Sequence, residues 1–447
     1  MHTKPARSHD DKVEQIAVRL SELARASERV HIDKGGVHHV VPVPKDKRFA
    51  SRPFDVSSLT DILEIDRDNS ICVAEAGVSF GRIVEATLPL GLMPVVVPEL
   101  EGITLGGAVA GCSIESTSYR HGGFHDTCLE YEIVTGDGRI LTCSRESEPL
   151  IFEMIHGSYG TLGLLTKLTF KLIPAKPYVR MDYRRFSSAT AFLAEVRDRC
   201  ETGDFDFVDG IVHAPNHFVL CLGSLCDTAP GTSDYRASGP YYKSTADRDD
   251  DDYLRTRDYL FRYDADAHWL TRAVPPLEWG PVRRTIGRGF LGSTNLIKWS
   301  RRLERIFALK KRPDVVVDVF IPSTRFEDFC SWYEAEMGFF PLWTVPYRMP
   351  EPYPWLSAEQ QKRLGTDLII DCAVYGMRNN HPRTDYSLLI EEKTFELGGV
   401  KTLISRNHYS RERFWQIYNE SNYNAVKEKT DPHAVFADLF EKFHQVG

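Results

Sequence analysis

The chain has 447 residues, of which 42% are hydrophobic and 26% charged, a balance that suits two to four globular domains and excludes a disordered, collagenous or purely coiled-coil protein. Lys+Arg total 55 and Asp+Glu 63, so the net charge is −8, which argues against nucleic acid as the partner. No run of 18 apolar residues occurs, the N-terminal MHTKPARSHDDKVEQ lacks an apolar signal core, and nine cysteines include no CxxC pair; these features point to a cytoplasmic chain with free thiols, no membrane-spanning helix and no export signal.

Val13, Ile16, Ala17, Leu20, Leu23 and Ala24 recur at helical spacing behind Asp10-Asp11, which predicts an opening amphipathic helix. Val30-His31-Ile32 is strand-like and runs into Asp33-Lys34-Gly35-Gly36. Residues 71–78 predict a strand. Ser79 then caps a helix whose Phe80, Ile83, Val84, Thr87 and Leu88 share a face, and Gly91 stops it. Residues 130–143, turning at Gly136-Asp137-Gly138, predict a hairpin. Leu164, Thr166, Leu168, Phe170 and Leu172 alternate with Leu165, Lys167, Thr169 and Lys171, a strand with one wet face that Pro174 ends.

From 179 to 395 the strand candidates are broken by charged or Pro-rich segments. The acidic run at 247–252 reads as a solvated loop. Segment 283–312 carries ten Lys/Arg against Glu304, interleaved with apolar residues, a pattern that suits an anionic membrane surface or, equally, a solvated helix face. The tail returns to helix, with Asp431-Pro432 read as N-cap and N1 of a last helix bearing Phe436, Leu439, Phe440 and Phe443.

The strongest chemical signal is Thr104-Leu105-Gly106-Gly107-Ala108-Val109-Ala110-Gly111-Cys112-Ser113-Ile114-Glu115-Ser116. Small residues let backbone approach a ligand closely, and successive N–H groups in tight turns make an anion-binding nest for a diphosphate. A packing face between strand and helix is the alternative. A second cluster, Gly157 through Gly163 with Gly160, Thr161 and Gly163, would let a flat aromatic ring lie on backbone, or is an ordinary turn. Gly287, Gly289 and Gly292 spell GxGxxG, but Val282-Arg283-Arg284-Thr285-Ile286 is a poor buried strand to precede a dinucleotide turn. His38-His39, His121, His125, His268 and His408 are candidate acids, bases or flavin attachment points. No HExxH or P-loop occurs, and no Cys/His spacing supports a metal.

Val97-Pro98-Glu99-Leu100-Glu101-Gly102-Ile103-Thr104-Leu105-Gly106-Gly107, Gly111, Ile114-Glu115-Ser116, Gly122, Tyr131-Glu132 and Asp137-Gly138 resemble the FAD-binding domain of the vanillyl-alcohol-oxidase (PCMH) type, within the Δ24-sterol reductase group. Tyr409-Ser410-Arg411-Glu412, Phe414-Trp415, Tyr423 and Lys427 fit that group as well, and the likeness extends to soluble bacterial relatives that act on methylene-branched fatty acyl chains. The resemblance implies an α+β fold: an FAD-binding domain over 1–178, a substrate cap over 179–395, and a segment over 396–447 that closes the flavin site. It implies that Thr104–Ser116 and Gly122 hold FAD, with Gly160, Thr161 and Gly163 near its ring or ribityl part. The usual first-lobe loop is degenerate here as Asp33-Lys34-Gly35-Gly36-Val37-His38-His39, so non-covalent FAD is expected.

The resulting expectation is reduction of an isolated C=C in a lipid, sterol or fatty acyl, with NADPH as electron donor. Such an alkene needs a well-placed acid, and Glu115, His121, His408 and Tyr409 are the candidates by type and position. Oxidation of an alcohol, sugar or lactone on the same fold is the competing expectation, and a non-catalytic lipid-surface protein the third. A peripheral location on the membrane would follow from the basic segment.

Overall fold

The computed structural model describes residues 8–35, 46–273, 275–293, 295, 315–379, 381, 383–404 and 406–444. His38-His39, most of the first-lobe loop and the bulk of the basic segment therefore lie outside the described residues. Two strands, β1 (Val30–Asp33) and β2 (Arg52–Asp55), form a parallel pair. A first antiparallel sheet is built from β3 (Ile62–Asp66), β4 (Ile71–Glu75), β5 (Leu92–Pro94), β6 (Cys128–Val134), β7 (Ile140–Ser144) and β8 (Leu164–Pro174), in the order β3-β4-β8-β6-β7 with β5 also paired to β8. The α+β class expected from the sequence is the class observed.

Local chemistry explains these elements. Along β8 the apolar positions Leu164, Leu168, Phe170 and Leu172 are buried while Lys171 is exposed, as its alternation requires. Ser79 accepts the N–H of Arg82 and opens helix Phe80–Thr87, which buries Phe80, Ile83, Val84 and Thr87. Phe80 packs edge-on to Phe124 (4.9 Å), which packs on Phe170 (5.4 Å), so helix, turn and sheet share one core. The opening helix His9–Arg25 is capped by Ser8 and buries Val13, Ile16, Ala17, Leu20 and Ala24.

A second antiparallel sheet comprises β9 (Tyr178–Phe186), β10 (Phe207–Ala214), β11 (His217–Cys226), β12 (Asp252–Arg255), β13 (Val315–Pro322), β14 (Leu342–Arg348), β15 (Leu368–Met377) and β16 (Val400–Lys401), in the order β12-β9-β11-β10-β14-β15-β13-β16. The chain passes from one sheet to the other between Pro174 and Tyr178. The second sheet has two distinct faces. One, with Val208, Leu220, Val317, Val319, Ile370 and Cys372, packs on Phe192, Phe326 and Phe329 of its own helices. The other, with Ile211, Trp343, Val345, Ile369, Ala373 and Tyr375, joins the core of the first lobe. That face roofs the site.

Three sequence readings are corrected. Asp431 does not open the last helix. It closes helix Glu420–Thr430, pairs with Lys427 (2.7 Å) and accepts the N–H groups of Val435 and Phe436, while Asp438 caps helix Leu439–Phe443. Asp252, the end of the acidic run, is not solvated. It opens β12 fully buried and accepts from Ser233 (2.6 Å), Tyr235 (2.6 Å) and Tyr183 (2.7 Å). Arg283 is no part of a cationic surface: it is buried against Asp266 at 2.8 Å, with Tyr235 O as a further acceptor. Gly287 and Gly289 sit inside helix Gly280–Phe290, so the GxGxxG string makes no strand-turn-helix. Among the described residues no helix is long and apolar enough to cross a membrane.

Candidate functional site

A cavity of about 320 Å³ lies between the first lobe and the second sheet, within the size range of small-molecule sites. Its floor is the glycine stretch. Thr104 caps helix Leu105–Ala110 by accepting the Gly107 N–H (3.3 Å). Gly106 donates its N–H to Ala76 O (2.8 Å), and a Cβ there would stand 2.9 Å from Ala76 Cβ, so glycine seats this turn on the end of β4. Gly106, Gly107 and Ala110 face the cavity, while Leu105, Ala108 and Val109 point into the core behind. The chain continues along the wall through Gly111, Cys112, Ser113 and Ile114, with Cys112 in the left-handed region at φ 53°. Gly160 and Gly163 line the wall too, at φ 73° and 143°.

Not all sequence candidates meet there. Thr161 is buried beneath its turn, donating to Ser158 O (2.7 Å) and accepting Lys427 Nζ at its carbonyl (2.7 Å). Gly122 ends a short helix at φ 75° and is packed on Asp126. Glu115 and Ser116 lie behind the wall. Glu115 pairs with Arg262 (3.0 Å), which also pairs with Asp209 (3.1 Å), and its other oxygen takes the N–H and hydroxyl of Ser116. Arg262 is fully buried and stacks over Tyr259 (4.3 Å) and Tyr263 (4.6 Å). Glu115 is thus paired with Arg262 behind the wall and does not line the cavity, while burial raises its pKa against the pull of that guanidinium.

The other proposed acids are also placed elsewhere. His408 shares a hydrogen bond with Ser387 Oγ (2.8 Å) and gives its backbone N–H to Glu391. Tyr409 donates to Glu391 O (3.3 Å) within the core. His121 ends the short helix Ser118–His121, and burial lowers its pKa. None of the three lines the cavity. His125 is buried against His156 (ring centroids 4.8 Å) and its pKa is pushed down to about 4 by burial.

Sequence reasoning missed two sets of cavity groups. The first is cationic. Lys34 approaches Thr104 Oγ1 at 3.5 Å, and Lys442 donates to Tyr159 O at 2.7 Å; neither has a carboxylate partner among the described residues, and burial pushes each pKa down to about 8. Arg48 lines the same space. The second set is acidic: Glu99 from the segment after β5, Asp318 on β13 and Asp371 on β15, with Tyr375 beside them. Tyr375 donates to Asp318 (2.7 Å). Burial, then the charges of Asp318 and Glu115, pushes Glu99 up to about 8. Burial also raises Asp318 and Asp371. The sequence signal was a lone carboxylate inside each apolar run, Val315-Val316-Val317-Asp318-Val319 and Leu368-Ile369-Ile370-Asp371-Cys372.

The residues fit FAD. Two half-buried ammonium groups that form no ion pair among the described residues suit a diphosphate, and the glycine floor leaves room for close approach. Lys34, Lys442, Gly106, Gly107 and Ala110–Ile114 would hold it.

A model described as an FAD binding domain matches residues 13–144. The Delta(24)-sterol reductase of Homo sapiens is 26% identical over 402 residues, covering 86% of this chain and 76% of that protein. The Delta(24)-sterol reductase homolog of Caenorhabditis elegans is 24% identical over 471 residues, covering 98% and 88%. Cytokinin dehydrogenase 6 of Oryza sativa subsp. japonica is 32% identical over 134 residues, covering 29% and 25%. Domain, cavity and matches together define an FAD-binding oxidoreductase. Within that class the chain is similar, over most of its length, to Delta(24)-sterol reductases of animals and plants.

Proposed function

We propose that this enzyme reduces an isolated C=C bond of a lipid, with NADPH as the source of electrons. The observation that carries the reading is an apolar annex to the cavity. A recess of about 60 Å³ continues from it past Gly111, Cys112, Ile114, Tyr159 and Phe320. Its far walls are Tyr347, Met349, Tyr353, Trp355, Leu364 and Ile369. Tyr347 and Tyr353 hydrogen-bond to each other, and Tyr353 donates to Asp126 (2.7 Å), so their hydroxyls are already engaged. Hydrocarbon gains from such a mostly apolar lining, whereas a sugar or polyol would lose most of its hydration there, with few groups such as the Trp355 indole N–H to replace it. This favours a sterol side chain or a branched acyl chain over the competing alcohol oxidation.

FAD, when bound, supplies the electron pair for the new C–H bond. The chain's own part is to orient and desolvate. Trp343, held by donating its indole N–H to Asp209 (2.8 Å), fixes one wall. Phe320 and the annex seat the apolar chain, and exclusion of water strengthens the electrostatics of the carboxyl groups nearby. Attachment to an anionic membrane surface belongs to the same proposal. Trp279 is 60% exposed ahead of helix Gly280–Phe290, with Arg284 also exposed.

The test is anaerobic. The FAD-loaded protein is titrated with NADPH and then mixed with a Δ24-unsaturated sterol in detergent micelles. Bleaching of the flavin band followed by its return, with a saturated sterol as product, is the expected result. A band that ignores both reagents, with hydrogen peroxide formed from a polyol in air, would overturn the proposal in favour of alcohol oxidation.

A further inference from the structure

Reduction of an unactivated alkene consumes a proton as well as a hydride, and the carbon that receives the proton is a poor base. The acid must therefore be un-ionised at working pH, dry, and open to the substrate. Glu115, His121, His408 and Tyr409 fail the last condition, because none of them lines the cavity.

The sheet face above the cavity supplies a group that meets all three. β13, β14 and β15 run antiparallel, with Phe320 opposite Asp371, Asp318 opposite Ala373, and Val345 opposite Asp371 from the other side. Side chains two residues apart share a face, so Asp318, Asp371 and Tyr375 point the same way, into the cavity. The two aspartates have different surroundings. Asp318 accepts the Tyr375 hydroxyl at 2.7 Å and that of Thr402 at 3.5 Å, bonds that favour its ionised form. Asp371 is 2% exposed, and its Oδ1 has no hydrogen-bond partner among the described residues.

We infer that Asp371 is the catalytic acid that protonates the alkene, and that Asp318 and Tyr375 form its positioning pair. The inference rests on the reduction proposed above. In the step, one C–H bond would form from hydride that the bound cofactor, reduced by NADPH, would supply. The π bond breaks, and its pair takes the proton from the Asp371 O–H to form the second C–H bond. Asp371 is left as carboxylate and regains its proton from water.

The acidic groups that face Asp371 act in one direction, opposed by a backbone hydrogen bond at Cys372. Asp318 on β13 and Glu99 from the segment after β5 are acidic, Tyr375 on β15 is neutral, and Val345 of β14 carries no charge. Burial and the charge of Asp318, joined by that of Glu99 as it ionises near 8, push the Asp371 carboxyl well above the usual carboxylate range. Asp318, solvated by hydroxyls, takes the negative charge of the pair, so the proton stays on Asp371. Among the described residues no group of His, Cys, Asp and Glu side chains could hold a metal ion, which removes metal binding as the reason for the cluster.

The experiment compares wild type, Asp371→Asn, Asp371→Glu and Asp318→Asn, each FAD-loaded and checked for folding by its bound-flavin spectrum. Infrared difference spectra across pH 5 to 9 read protonated carboxyl groups directly and need no substrate. Two deuterium-sensitive carboxyl C=O contributions are expected in wild type at neutral pH, from Asp371 and from Glu99; Asp371→Asn should lose the first and keep the second, and Asp318→Asn should keep both. In single turnover with the Δ24-unsaturated sterol, Asp371→Asn should lose the return of the flavin band by about 10²–10⁴-fold while NADPH still bleaches it. Asp371→Glu should recover part of that loss, and the wild-type rate should fall as pH rises through the Asp371 titration. An unchanged return rate in Asp371→Asn, or both infrared contributions kept in it, would overturn the inference. A wild type that is bleached but never re-oxidised by sterol would count against the reduction reading, and the infrared contribution lost in Asp371→Asn would then decide alone whether Asp371 holds a proton.

Discussion

Arg262 offers the sharpest test of how the cavity wall is held. It is fully buried, pairs with Glu115 at 3.0 Å and Asp209 at 3.1 Å, and Asp209 in turn accepts the indole N–H of Trp343. Arg262→Met keeps most of the packing volume and removes the charge, leaving two buried carboxylates without a cation. Breaking such a pair costs about 3–5 kcal/mol. The folded variant can limit the loss by taking up a proton on each carboxyl, at about 1.4 kcal/mol per pH unit above its ordinary pKa near 4. For one carboxyl that is about 4 kcal/mol at pH 7 and about 1.4 kcal/mol at pH 5. The sign follows: the carboxyl pKa values of the folded variant lie above the unfolded ones, so its stability falls as pH rises from 4 toward 7. Urea unfolding at pH 7 and pH 5, followed by circular dichroism, should show the deficit against wild type shrinking by about 3 kcal/mol per carboxyl that takes up a proton. A deficit below about 1 kcal/mol at pH 7, or one equal at both pH values, would refute the reasoning.

Lys34→Met and Lys442→Met should each weaken FAD by about tenfold, from one lost charge-assisted contact, and leave riboflavin, which has no diphosphate, nearly unaffected in equilibrium dialysis. Both ammonium groups titrate near 8 before FAD is bound, and FAD binds the charged forms, so wild-type affinity should fall as pH rises from 7 to 9. Gly106→Val places a Cβ 2.9 Å from Ala76 Cβ and 3.1 Å from Ala76 O; it should destabilise by about 1–3 kcal/mol and lower FAD occupancy, read by urea unfolding and by flavin absorbance per chain. Lys427→Met removes bonds to Thr161 O (2.7 Å), Phe436 O (2.9 Å) and Asp431 (2.7 Å) and leaves buried Asp431 without its cation, held only by the Val435 and Phe436 N–H groups, a loss of about 3 kcal/mol that limited proteolysis of the tail should detect first.

Legibility in the sequence followed the physics. The strand at 164–174 was readable because one face is wet and the alternation survives, and helix Phe80–Thr87 because its cap, face and stop are all local. β13 and β15 are covered on both faces, so Val315–Val319 and Leu368–Val374 read only as apolar runs without period. Gly106, Gly107 and Gly111 stood out because close packing and close approach leave a compositional mark. The roles of the acids did not, because they are set by partners distant in the chain. Glu115 sits in a matched segment like a catalytic acid, yet the fold pairs it with Arg262 behind the wall, while Asp371 draws its character from burial and then from Asp318 and Glu99. His408 and Tyr409 were credited for their segment, and the fold turns both toward Glu391.

The central claim is that the cavity over Thr104–Ile114 holds non-covalent FAD, and one spectrum tests it most directly. The purified chain is incubated with FAD, desalted, and scanned in the visible before and after denaturation with precipitation. The account predicts about one flavin per chain, released entirely into the supernatant. A chain that retains no flavin after incubation, or one whose flavin stays with the precipitate, would contradict it.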